Sequence, residues 1–116
     1  MFNLNKHLHG STLVIKIEGY CNQDAGDDLL KIIQGEFESG SSKHLVFNFS
    51  LCNGVNSPGV ARVLEATEIV TEDFNGRVYL CGLDKIKTSF FEMVGILELA
   101  EAVSGEEEAL KLIAVD

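Results

Sequence analysis

The chain contains one proline, Pro58, and no low-complexity run, so nothing in its composition marks a linker. Positive charge is scarce. Nine Lys and Arg stand against eighteen Asp and Glu, a formal net charge of −9. Such an acidic surface repels phosphate backbones and anionic lipid, which removes nucleic-acid and membrane-surface binding from the expected functions. No apolar stretch approaches the roughly 20 residues of a membrane-spanning helix. The opening MFNLNKHLHG lacks a charged segment followed by an apolar block, so no signal peptide is expected there. Cysteine is limited to Cys21, Cys52 and Cys81, an odd number without zinc-like spacing, which points to a reduced, cytoplasmic protein. In that setting the sequon Asn48-Phe49-Ser50 is a chance match. The phosphate loop, the dinucleotide GxGxxG and the GxSxG elbow are all missing.

What remains is 116 residues, 46% hydrophobic and 23% charged, the size and balance of one soluble domain spanning 1–116. Phe2, Leu4 and Leu8 alternate with Asn3, Asn5, His7 and His9, which predicts a first strand with one wet face. After Gly10-Ser11, Leu13, Ile15 and Ile17 alternate with Val14, Lys16 and Glu18, a second strand forming an antiparallel hairpin with the first. From Asp24 to Ser39 the period becomes helical through Ala25, Leu29, Ile32, Ile33 and Phe37. Asp24, Asp27 and Asp28 are read as its first turn, where the helix dipole favours acids. The run from Lys43 to Phe49 is apolar on both sides apart from Asn48, the pattern of a central strand with covered faces.

Val60, Val63, Leu64, Thr67 and Val70 predict a second helix, broken by Asn75-Gly76. Val78 to Cys81 reads as a buried strand, and Ile86, Phe90, Met93 and Val94 as the apolar stripe of a third helix. Leu97 to Val103 holds a brief strand. Ser104-Gly105-Glu106-Glu107 reads as a capping box opening a last helix through Ala109, Leu110 and Ile113. The order β-β-α-β-α-β-α-(β)-α predicts an α/β fold. It has a mostly parallel sheet of four to five strands, an N-terminal antiparallel strand and about four helices. Leu45, Phe47, Val63, Leu64, Val78 and Leu80 are the expected core.

Candidates for chemistry are few. The acids Asp24, Asp27 and Asp28 lack partners at ligand spacing and read as a charged helix start. His7 and His9 share a strand face with no third ligand, and His44 opens a strand with no catalytic partner. The cysteines follow or end successive strands, where α/β proteins gather ligands, but each also reads as a small buried apolar residue. No metal or cofactor is expected. The loop Gly54-Val55-Asn56-Ser57-Pro58-Gly59 stands out, lying between a buried strand and a helix. Ser57 before Pro58 reads as N-cap and first helical residue. A helix N-terminus also favours anions.

Leu45 to Ser50, then Val55-Asn56-Ser57-Pro58-Gly59-Val60, then a helix, resembles the STAS domain, the fold of bacterial anti-sigma factor antagonists. That family's usual form is a strand ending in Asp-Leu-Ser, an Asp-Ser-Ser-Gly loop and an apolar helix. Leu13 to Gly19, Gly76 to Gly82 and Gly105 to Leu112 resemble the family's second strand, the strand before its third helix, and its last helix.

The resemblance implies a binding module rather than an enzyme. The antagonist docks on an anti-sigma factor that is also a serine kinase, and phosphorylation of the loop's second serine breaks the complex. The matching tetrad here is Asn56-Ser57-Pro58-Gly59, which puts Pro58 at the acceptor position, so the usual switch is expected to be absent. Ser57 is the one hydroxyl left in the loop. The implied docking surface is Val55, Asn56, Ser57, Pro58, Gly59 and Val60 with Gly82, Leu83 and Asp84. The implied partner is an anti-sigma factor or serine kinase-like protein. The alternative is a STAS subunit of a lipid-transport ABC complex, with an ABC transporter subunit as partner, or a signalling scaffold. A small-ligand binder or enzyme using the strand-end cysteines is a third reading. A homodimer stays open.

Overall fold

The alternating N-terminal segment folds as two long antiparallel strands, β1 (Phe2–His9) and β2 (Thr12–Cys21), paired in register from Phe2↔Gly19 to His9↔Thr12. The computed structural model describes residues 1–115. Helix α1 (Gln23–Glu38) follows, then β3 (His44–Asn48), β4 (Cys52–Val55) and α2 (Ser57–Glu68). A π-helical turn at Ile69–Asp73 extends α2. The chain continues through β5 (Val78–Cys81), α3 (Lys85–Met93), a 3₁₀ turn at Ile96–Glu98, β6 (Glu101–Ala102) and α4 (Glu106–Ala114).

The sheet order is β1-β2-β3-β5-β6, and all pairs beyond β1–β2 are parallel. Among the described residues it holds six strands, one more than the five in the expected element order. The extra strand is β4, which pairs with the C-terminal part of β2 through Gly19↔Cys52, Tyr20↔Gly54 and Cys21↔Val55. Strand β2 is ten residues long, so β3 covers its first half and β4 its second.

The apolar face of α1 and the inward residues of α2 bury one side of the sheet. Leu13, Ile15, Ile17, Leu29, Ile33, Leu45, Phe47, Val63 and Leu80 are all fully buried there. Burying each such side chain contributes about 1.5–3 kcal/mol. Val78 is buried with them, while Leu64 is half-buried and packs against this core. On the opposite side, α4 covers Val14, Val46, Tyr79 and Cys81 through Ala109 and its neighbours. The start of α4 is held to the sheet by Asn48, whose amide donates to Glu106 Oε2 at 2.6 Å.

Three local readings are corrected. Helix α3 buries Lys87 and Phe91, while Ile86 and Met93 are 70% and 80% exposed. Of the stripe through Ile86, Phe90 and Met93, only the half-buried Phe90 packs against the core, so the seated face is rotated toward Lys87 and Phe91. Phe91 sets the rotation, because its ring packs 5.1 Å from Phe49. Helix α1 starts at Gln23 with Asn22 as N-cap, so of the three aspartates only Asp24 lies in the first turn. Helix α4 has Gly105 at the N-cap position. Ser104 donates its N–H to Glu108 Oε1 at 2.6 Å, one residue beyond the expected Glu107.

Candidate functional site

The C-terminal ends of β2, β3, β4 and β5 meet on one edge of the sheet, and the first turn of α2 stands on it. Asn56 is extended and its Oδ1 accepts the Gly59 N–H at 3.0 Å, so Asn56 is the N-cap. Ser57 and Pro58 are the first two helical residues, which corrects the reading of Ser57 as cap. A proline suits this turn because its missing N–H would have been unpaired. The Ser57 hydroxyl makes no hydrogen bond among the described residues, and both Ser57 and Pro58 are exposed.

Main-chain contacts fix this turn. Asn56 donates its N–H to Cys21 O at 3.3 Å. A Cβ on Gly59 would fall 2.1 Å from the same carbonyl oxygen, so only glycine lets α2 approach β2 this closely. Beside it, Gly82 has φ of +75° and presses on Ser50, where a Cβ would meet the backbone nitrogen at 2.3 Å. This contact sets the turn after β3 against the loop entering α3. Asp84 caps α3 by accepting the Lys87 N–H at 2.8 Å.

Of the expected docking residues, Ser57, Pro58 and Asp84 are exposed, and Asn56, Gly82 and Leu83 are half-buried. Val55 is 8% exposed, Val60 is fully buried and Gly59 is buried. These three present no side-chain surface. They support the turn from beneath, because the first turn of α2 must seat its apolar side on the core. Two exposed residues on the same edge were missed. Leu51, in the turn after β3, is 55% exposed, and Ile86, in the first turn of α3, is 70% exposed. The signal for Leu51 was available, as an apolar residue following the buried strand.

The other candidates are dispersed. His7 and His9 are exposed on β1, and Asp27 pairs with Arg62 of α2 at 2.8 Å. His44 Nδ1 accepts the Arg77 N–H at 3.0 Å. Burial, with Lys43 and Arg77 nearby, holds the His44 imidazole below its usual range. All three cysteines are free and buried. Burial, reinforced by Cys52, pushes the Cys21 thiol up to about 12, and burial with Glu106 nearby pushes Cys81 up to about 11. Such thiols stay protonated and unreactive. Among the described residues no group of three His, Cys, Asp or Glu is placed to hold a metal ion, and no helix is long and apolar enough to cross a membrane.

No family model and no curated protein matches the chain. Solved structures do. The anti-sigma factor antagonist SpoIIAA in its unphosphorylated form matches with a TM-score of 0.77 and 22% identity, covering 98% of each chain. SpoIIAA of Bacillus in the phosphorylated form gives 0.76 at 23% identity over 97% of this chain and 99% of its own. A putative anti-sigma factor antagonist from Thermotoga maritima gives 0.84 at 9% identity over 96% and 94%. The fold is that of the anti-sigma factor antagonists, the STAS fold, as the sequence resemblance implied.

Proposed function

We propose that the protein is a non-catalytic binding module of the antagonist type. It docks an anti-sigma factor or serine kinase-like protein and acts in partner switching without the usual serine switch. The observation that carries this reading is the first turn of α2. Ser57 and Pro58 stand exposed on a turn held by the main chain, at the sheet edge where Leu51 and Ile86 expose apolar surface. Exposed apolar residues clustered around a polar turn mark protein contact surfaces. Two comparison structures carry the same fold in the unphosphorylated and phosphorylated forms of an antagonist, so the fold tolerates both states.

The switch argument rests on Pro58. It has no hydroxyl at the position where the family is modified. Ser57 is free of capping duty, so a phosphate there would meet no lost cap, and the helix N-terminus would accept its charge. The barrier is register, since a kinase shaped for the next residue finds proline. Binding is then controlled by abundance or by modification of the partner. Tagged full-length protein from its native cell tests both points. The expected result is a retained anti-sigma or kinase-like partner, lost on Ile86→Asp and weakened on Ser57→Asp, with Ser57 unmodified by mass spectrometry. Stoichiometric phosphate on Ser57 would show that the switch has moved by one residue. Full retention by both variants would place the interface elsewhere.

A further inference from the structure

Two copies of a chain with a net charge of −9 repel each other over most of their surface. Residues 1–17 and 39–64 are the two long stretches without Asp or Glu. In the first, the Lys6 ammonium is neutralised within the chain by Glu36 Oε1 at 2.5 Å. This first segment contains β1, an eight-residue edge strand paired on one side only, by β2. The opposite edge, β6, is two residues long and carries Glu101.

The open side of β1 can be assigned residue by residue. Tyr20 donates its N–H to Met1 O at 3.2 Å. Antiparallel bonding alternates, so Asn3, Asn5, His7 and His9 bond toward β2, while Phe2, Leu4, Lys6 and Leu8 turn N–H and C=O outward. The side chains of this outward set lie on the α1 face. At the N-terminal end of that face Phe2, Leu4 and Ile32 line a groove of about 400 Å³, rimmed by Asp28 and Lys31. At the far end Leu8 is 47% exposed. An apolar groove and an apolar knob thus sit on one strand face, about 20 Å apart.

We propose that β1 is a self-association edge, occupied by β1 of a second copy running antiparallel. In the register that pairs Phe2–Leu8 of one copy with the same seven residues of the other, Leu8 of each copy lies opposite Phe2 of the other and Asn5 lies on the two-fold axis. Each Leu8 then enters the other copy's groove. The contact closes on itself as an isologous dimer, and two six-stranded sheets become one. It uses none of the residues assigned to docking above, so either assignment can fail without the other.

Sedimentation velocity of the full chain, from low micromolar to millimolar concentration, tests it. A reversible dimer is expected, weakened at least about tenfold by Leu8→Asp, an exposed change that leaves the melting temperature of the dilute protein unchanged. Oxidation of Asn5→Cys should yield a disulfide-linked dimer faster than oxidation of Lys6→Cys, because position 5 meets itself across the axis. A chain monomeric at millimolar concentration would overturn the proposal. So would a dimer indifferent to Leu8→Asp, or equal crosslinking at positions 5 and 6.

Discussion

The ammonium of Lys87 lies buried, 2.7 Å from Asp84 Oδ2, while the Asp84 side chain remains 59% exposed. Asp84 therefore serves α3 twice, as cap for the Lys87 N–H and as counter-ion for its side chain. The buried cation depends on a carboxylate that still faces water.

Removing one partner of such a pair costs more than removing the charge altogether. Asp84→Asn keeps a capping oxygen and strands the cation, so it should lower the thermal midpoint by several degrees. Lys87→Met should leave the midpoint unchanged or raise it. The pH dependence has a definite sign. The Lys87 ammonium and N–H hold the Asp84 carboxyl below its usual range. Its stabilising effect is full above the unfolded carboxylate pKa of about 4 and is lost as pH falls through the folded value. Denaturant midpoints measured from neutral pH down to about 3 should fall more steeply for the native chain than for Asp84→Asn.

Capping of α2 can be assigned by substitution. Asn56→Ala should cost about 1 kcal/mol in urea unfolding, the usual loss for a side-chain cap. Ser57→Ala, at an exposed position without a hydrogen bond, should stay within about 0.5 kcal/mol. The reverse order would return the cap to Ser57.

Thiol accessibility checks the strand-end cysteines. The folded protein at mildly alkaline pH should react with a thiol reagent far more slowly than the unfolded chain, and unfolding should release all three cysteines. Fast labelling of Cys21 or Cys81 in the folded protein would contradict their raised pKa values.

Much of the fold was legible because burial follows period. The alternation through Leu13, Ile15 and Ile17, and the apolar runs at Leu45–Phe47 and Val78–Leu80, identify strands that are buried in the structure. Strand β4 was not legible. Cys52-Asn53-Gly54-Val55 is four residues with no alternation and two poor strand formers, and only its pairing with β2 makes it a strand. The rotation of α3 was hidden for a related reason. Ile86, Phe90 and Met93 fall at helical spacing as well as Lys87 and Phe91 do, and Phe49 decides between them. At the candidate site, the sequence located the turn but not the cap. Asn56 and Ser57 are both good cap residues, and Pro58 fits the first turn in either frame.

Gly59 rests against the carbonyl of Cys21, and Asn56 donates to the same oxygen. The exposed pair Ser57 and Pro58 is thus mounted on main chain, and the proline ring fixes one backbone dihedral in addition. For any partner that docks there the consequence is kinetic. The surface is already in its final shape before encounter, so no ordering step slows association and little conformational entropy is lost on contact. Differences in affinity among variants of Ser57 and its exposed neighbours would then appear as changes in residence time, with the rate of capture nearly constant.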